Sequence, residues 1–308
     1  MSKLYILHEN NDWLPSIREE LKKHDIPFEE WYLVDDGIID LTSVPPTGVF
    51  WNRVSPSAHT RGHQHSSSFA FAILNWLESH GRTVINGSKS LSMEVSKVAQ
   101  YNALTQMGIK SPASIAVFSR PDFITAADKI GFPLITKHNC GGRGSGVRKF
   151  ENLISLKKYL DSNEYEESTD GISLVQQYIE SSENYITRME FVDKQFIYAV
   201  RINNEQGFNL CPADSCSLDG AFCATSAPIS KFNILKDFSH PIIEAYQEFL
   251  YKYEIDIAGI EFIIDNNGDL YSYDINTNTN YNTKAEDISG ISAHKALAVF
   301  IKNQLESL

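Results

Sequence analysis

The dipeptide Asn267-Gly268 separates two strand-like runs, Ala258–Ile264 and Asp269–Ile275, and this arrangement narrows the possible folds more than any other feature. Asn-Gly is the favoured pair for a two-residue hairpin turn, because both residues tolerate positive φ. A two-residue turn fixes the register, which sets Glu261 opposite Asp274 and puts Asn276 two residues further along the same face. Carboxylates about 5 Å apart repel by about 3 kcal/mol at an effective dielectric near 20. A cation between them removes that cost, and two carboxylates with one amide oxygen suit Mg²⁺ shared with substrate phosphates. A water-facing hairpin without metal is the alternative, and a one-residue slip would separate the pair.

The rest of the chain reads as strands alternating with helices. Leu4–Leu7, Glu30–Val34, Gly48–Trp51 and Thr83–Ile85 are expected strands. A helix near Trp13–His24 capped by Asp12 and another at Phe69–His80 lie between them. These define an α/β lobe over residues 1–90. Residues 91–176 hold a helix at Glu94–Met107, a helix opened by Pro121 and closed by Gly131, and strands at Pro133–His138, Gly146–Phe150 and Ile172–Gln177. Residues 177–308 look antiparallel, with Tyr185–Val192 and Gln195–Ile202 flanking Asp193-Lys194, and helices near Pro241–Tyr253 and Ser289–Leu305. The fold class is therefore mixed α/β and α+β.

Charge and cysteine usage exclude several classes. The 308 residues carry 27 Lys and Arg against 39 Asp and Glu, a net charge of −12. Bulk charge of that sign argues against a nucleic-acid or anionic-membrane partner. No apolar run approaches membrane-spanning length, and Met1–His8 lacks the features of a secretory signal. Cys140, Cys211, Cys216 and Cys223 form no CxxC pair, so free thiols and a cytoplasmic location are expected.

Three further constellations carry chemistry. Glycine fills four of the six positions 141–146 in Cys140-Gly-Gly-Arg-Gly-Ser-Gly146. The loop follows a strand ending near Lys137, so backbone N–H groups and one ammonium can cradle a polyphosphate. It is neither a Walker A loop nor a GxGxxG, and a flexible hairpin tip is the alternative. Asn86-Gly87-Ser88-Lys89-Ser90 lacks the upstream glycine such a loop needs. Lys97, Arg188 and Arg201 are basic groups set to converge, and a guanidinium fork matches phosphoryl oxygens. The loop holding Arg53, His59, Arg61, His63 and His65 admits three readings: an ordinary exposed loop, recognition of an anionic substrate, or a zinc site.

From about Ser92 onward the chain resembles the ATP-grasp ligases, in particular the branch of ribosomal-protein glutamate ligases, lysine-biosynthesis carrier-protein ligases and bacterial glutathione synthetase. The stretches that carry the likeness are SKVAQYNALTQMGIKSPAS (96–114), FPLITKHNCGGRGSGV (132–147), SLVQQYIE (173–180), YITRMEF (185–191), AVRI (199–202) and AGIEFIIDNNGDLYSYDINTN (258–278). VFWNRV and TVINGSKSL echo that branch's first lobe.

The resemblance implies ATP clasped between two α+β subdomains beside an N-terminal α/β lobe. Lys97 and Lys137 would meet the phosphates, with Gly142, Arg143, Gly144, Ser145 and Gly146 closing over them. Gln177 would read the adenine, Tyr178 and Ile179 would form the hinge, and Glu183 would hold the ribose. Arg188 and Arg201 would stabilise the transferred phosphoryl group. Glu261, Asp274 and Asn276 fall on the family's metal positions, with Asp and Glu exchanged, for Mg²⁺ or Mn²⁺.

Arg53, Arg61, His63 and Asn278 are the expected substrate contacts. The segment Thr277–Asn282 departs from the small-residue, Pro-Gly turn common in relatives, and 207–214 matches no familiar substrate loop. The implied activity is ADP-forming carboxylate–amine ligation of small-molecule or peptide substrates through an acyl phosphate. A small-molecule kinase and a non-catalytic nucleotide-binding regulator are the alternatives. Paired or tetrameric assemblies are frequent among similar enzymes, so a homo-oligomer is open.

Overall fold

The computed structural model describes residues 2–34, 37–142, 144, 146–181, 185–203 and 232–308. Arg143, Ser145, Glu183, the segment 207–214 and the thiols of Cys211, Cys216 and Cys223 lie outside these residues.

The N-terminal sheet is parallel, in the order β2-β1-β3-β4, with β1 (Lys3–His8), β2 (Phe28–Tyr32), β3 (Gly48–Arg53) and β4 (Thr83–Ile85). Helix α1 (Pro15–Lys23) buries Ile17 and Leu21 against it. Asp12 is not its cap. Asn10 caps a preceding 3₁₀ turn by accepting the Asp12 N–H, and Pro15 opens the helix at a position where a missing N–H costs nothing. Helix α2 (Ser66–Ser79) covers the other face.

The expected helix Glu94–Met107 is divided between two helices, α3 (Ser88–Glu94) and α4 (Lys97–Gln106). Ser96 adopts extended backbone, and its hydroxyl accepts the Ala99 N–H, which starts α4 afresh with Lys97 in its first turn. The next sheet is antiparallel in the order β5-β8-β6-β7. It is formed by β5 (Ser114–Val117), β6 (Leu134–His138), β7 (Arg148–Phe150) and β8 (Ser173–Gln177). It has its own core with α5 (Arg120–Ile130) and α6 (Leu153–Leu160).

The third sheet is antiparallel, in the order β11-β10-β9-β12-β13, built from β9 (Tyr185–Val192), β10 (Gln195–Asn203), β11 (Phe232–Leu235), β12 (Ile257–Ile264) and β13 (Leu270–Asn276). Helix α7 (Ile242–Lys252) covers one face together with α4. The expected C-terminal helix Ser289–Leu305 is α9 (Ala293–Glu306), and a short helix that the sequence did not suggest, α8 (Thr283–Ser289), precedes it and ends where Gly290 takes the left-handed conformation. Helix α9 lies between the third sheet and the N-terminal lobe, and residues of both share one apolar cluster. No described helix is long and apolar enough to cross a membrane.

Asn86 sews the lobes together. Its backbone N–H reaches Asp256 Oδ2, its Nδ2 donates to the carbonyls of Ile257 and Thr277, and its Oδ1 accepts the N–H groups of Asp256 and Ile257. It is fully buried, with φ +52°. Asn86→Ala strands those buried backbone groups and leaves an alanine in the left-handed region, so unfolding in urea should show a loss of about 2–4 kcal/mol.

Candidate active site

The hairpin register is met through two offsets that cancel. A two-residue turn would pair Ile264 with Tyr271. Instead Asp265 accepts the N–H groups of Asn267 and Asp269, which spreads the turn over three residues and pairs Ile264 with Leu270. Tyr273 then bulges out of β13 and restores the expected alignment, so Glu261 opposes Asp274 and Gly259 opposes Asn276.

Arg188 lies beside Glu261 on the neighbouring strand β9. Its Nε donates to Glu190 at 2.6 Å, its Nη1 to Glu261 at 3.0 Å and its Nη2 to the Thr279 hydroxyl, which in turn donates to Glu190 at 2.8 Å. Burial opposes the charge, but Glu190 and Glu261 outweigh it and hold the guanidinium above the ordinary arginine value. Burial pushes the Glu190 carboxyl up, against the pull of Arg188. Gly259 makes room for this group, because a Cβ there would lie 2.3 Å from Arg188 Nη2.

Arg201 does not join Arg188. The hairpin after β9 is a two-residue turn at Asp193-Lys194, both at positive φ, and a plain ladder from it would put both arginines on one face. A bulge between Phe196 and Tyr198 shifts the register by one. Arg201 consequently pairs with Thr187 on the opposite face, exposed and over the Tyr185 ring at 4.2 Å.

Lys97 and Lys137 are brought together by Asn139. Its carbonyl accepts the Lys97 N–H and its side chain accepts the Val98 N–H, tying the start of α4 to the end of β6. Lys97 pairs with Asp274 through its ammonium, and Asn276 Nδ2 donates to the other Asp274 oxygen at 3.2 Å. Lys137 donates to the Tyr101 hydroxyl. Burial pushes Lys97 down to about 8, helped by the charge of Lys137, and pushes Lys137 down to about 7 against the attraction of Glu261.

In the glycine loop, Gly144 and Gly146 both have φ +73°. A Cβ at Gly146 would come within 2.8 Å of the His138 ring, and one at Gly142 would touch Ser57 of the N-terminal lobe at 3.5 Å. Gln177 turns its side chain to the Ala113 N–H at 3.4 Å, whereas Gln176, on the strand face that carries Lys137, donates to Ser114 at 2.7 Å. Tyr178 follows with its N–H on the Pro133 carbonyl and Lys149 over its ring, and Ile179 is buried.

The N-terminal lobe contributes a second cluster at the C-terminal ends of β1 and β3, where sheet order diverges and ligands of open α/β sheets collect. Arg53 is 3% exposed and donates to the Thr279 carbonyl and to Asn280 Oδ1, with no carboxylate in hydrogen-bond contact among the described residues. Burial pushes its pKa down to about 10. Its Nε has no partner, and neither do the ring nitrogens of His8, Trp51 Nε1, Asn278 Oδ1 or the Tyr281 hydroxyl, all buried. His8 Nε2 lies 3.3 Å from Glu30 but out of line for a hydrogen bond. Orphaned buried polar atoms are costly, and their concentration around one unneutralised cation fits an anionic group.

Arg61 and His63 are held differently. Glu9, fully buried, takes a bidentate contact from Arg61 at 2.7 and 3.1 Å and a third from His63 at 3.1 Å. His59 bonds the Pro56 carbonyl. Among the described residues no group of three or more His, Cys, Asp or Glu is arranged to hold a metal, so nothing supports the zinc reading of this loop. Glu261, Asp274 and Asn276 are two carboxylates and an amide, hard donors that fit a magnesium ion whose remaining ligands are phosphate oxygens and water.

The three sheets together have the ATP-grasp fold. Residues 95–211 match the RimK-like ATP-grasp domain. The chain is similar to the α-aminoadipate–LysW ligase LysX of Sulfolobus acidocaldarius, at 29% identity over 143 residues, covering 46% of this chain and 52% of that protein. It thus spans about half the length of the curated relatives it matches. In fold it is similar to a RimK domain ATP-grasp protein from Sphaerobacter thermophilus (TM-score 0.69, 12% identity, covering 97% and 99% of the two chains). It is also similar to the ATP-grasp ligase PsnB complexed with a minimal precursor (TM-score 0.67, 15% identity, covering 98% and 99%).

Glu190, Glu9, His8, Gln176 and Thr279 join the candidate site without a sequence signal: strand registers place His8, Gln176 and Glu190, and tertiary contacts bring in Glu9 and Thr279. Gly259→Ala should push Arg188 off its two carboxylates. The expected loss is about 3–5 kcal/mol, the range for breaking a buried ion pair, read from chemical denaturation.

Proposed function

We propose that the protein is an ATP-dependent, ADP-forming carboxylate–amine ligase. The observation that carries this reading is the carboxylate pair Glu261 and Asp274, with Asn276, facing Lys97 and Lys137 beside the glycine loop. LysX is an α-aminoadipate–LysW ligase, and PsnB has been seen with Mg and ADP and with a precursor peptide. Those names support a carboxylate and an amine, on a small molecule or a peptide, as the substrates here.

A magnesium ion held by Glu261, Asp274 and Asn276 would neutralise the phosphates, and manganese suits the same oxygen donors. Lys97 and Lys137 orient the polyphosphate, and the loop 142–146 closes over it to exclude water. Gln176, or Gln177 after a side-chain turn, reads the base beside Tyr178 and Ile179, with Glu183 on the ribose. Arg53 holds the carboxylate to be activated, with Asn278 beside it, and Arg188 stabilises charge on the transferred phosphoryl group. Arg61 and His63 act through Glu9 by shaping the loop under Gly142. Arg201, on the far face, needs a movement of β10 to reach the phosphate. The substrate carboxylate attacks the γ-phosphorus and ADP leaves, and the amine then attacks the acyl carbon of the resulting acyl phosphate, losing a proton as inorganic phosphate departs, so no protein nucleophile is needed.

Incubation with ATP, Mg²⁺ and pooled amino acids and carboxylic acids should give pool-dependent ADP and phosphate. AMP would reject the mechanism. Phosphate retained on an acceptor without any amine requirement would show a kinase, and nucleotide binding without turnover on any pool or peptide would show a regulator. Asp274→Asn should lower turnover at least about 100-fold, measured as ADP release at limiting Mg²⁺.

The free-protein values of about 7 for Lys137 and about 8 for Lys97 mean that both ammonium groups lose charge as pH rises through the neutral range. Phosphates favour the charged forms, so nucleotide affinity should fall across that window. Calorimetric titration at several pH values checks this, and Lys137→Met should flatten the lower part of the profile.

A further inference from the structure

The metal carboxylates already have cationic partners. Lys97 holds Asp274 and Arg188 holds Glu261; Lys97, Arg188 and Glu261 are buried and Asp274 is half-buried. Around the pair, the described carboxylates Glu190, Glu261 and Asp274 are matched by the described cations Lys97, Lys137 and Arg188. Glu94 lies behind Lys97, where burial raises its carboxyl and the Thr277 N–H occupies it. A free divalent cation entering this set must displace an ammonium that has no other carboxylate in hydrogen-bond contact among the described residues, and adds two uncompensated charges. A metal–nucleotide complex instead brings phosphate oxygens that take over the ammonium and balance the charge.

We infer that Lys97 is a specificity-determining residue that makes the Glu261/Asp274 pair accept a divalent cation as its nucleotide complex and resist the free ion. The inference rests on the ligase reading of the same site. Arg188 cannot play this part alone, because Glu190 and Thr279 anchor it on two further sides. Among the described residues Lys97 has one carboxylate partner and a long contact to Gln100 at 3.4 Å, so it is the group able to change partners.

The test titrates Mn²⁺ into chelator-treated full-length protein, with bound and free ion separated by electron paramagnetic resonance. One arm has Mn²⁺ alone, the other Mn²⁺ with a non-hydrolysable ATP analogue. Lys97→Met should bind free Mn²⁺ about tenfold more tightly than the unaltered protein, equivalent to about 1.4 kcal/mol. It should bind the nucleotide complex more weakly. Lys137→Met, whose ammonium contacts Tyr101 rather than a metal carboxylate, should change free-ion affinity far less. Free-ion binding by Lys97→Met no tighter than in the unaltered protein overturns the inference, as does equal tightening by both lysine variants. Lys97→Gln serves if the Met variant fails to fold. If the unaltered protein binds no metal–nucleotide complex, the ligase reading falls and the inference with it; if that arm succeeds and the free-ion arm fails, only the inference falls.

Discussion

The buried guanidinium of Arg188 is the interaction on which the arrangement depends. Three acceptors from three strands or loops converge on it: Glu190 of β9, Glu261 of β12 and Thr279 of the segment after β13. A charge taken out of water needs such a set, and removing one member leaves the others exposed to an unpaired ion. Gly259 has no side chain for the same reason: the space above it belongs to the guanidinium. The sheet is thus locked at the point where phosphates and metal would meet.

The same cluster reaches into the N-terminal lobe. Thr279 binds Arg188 through its hydroxyl and Arg53 through its carbonyl, while Asn86 ties the carbonyl of Thr277 to the turn after β4. The N-terminal sheet therefore sits against the third sheet through both an apolar cluster and a set of directional bonds. The central sheet has a separate core and meets the N-terminal lobe through the glycine loop, at Gly142 and Ser57 and at Cys140 and Pro56.

Much of this was legible in the sequence because strong local signals coincide with the chemistry. Gly81, Pro121 and Gly131 punctuate elements correctly, and Lys137 sits near the end of its strand as expected, whereas the break at Ser96 that makes Lys97 open α4 did not show in the periodicity. The two β-bulges show where legibility stops. The one at Tyr273 compensated an unrecognised three-residue turn, so Glu261 and Asp274 were paired correctly by cancellation. The one between Phe196 and Tyr198 had nothing to cancel it, and moved Arg201 to the opposite face. Glu9 was invisible for a different reason: its partners Arg61 and His63 lie far away in sequence, and a lone glutamate carries no mark of the cation it will meet. Glu190 lies only two residues from Arg188, but nothing in the sequence shows that the pair is buried.

Thr279 has a consequence for how such a site can diversify. One residue supports two guanidinium groups, one beside the Glu261/Asp274 pair and one beneath the orphaned polar atoms of the N-terminal lobe. A backbone shift there moves both. The segment 277–282 is consequently a poor place to alter one pocket while leaving the other untouched, whereas the loop 55–63, anchored separately by Glu9, can change its outer side chains without disturbing Arg188.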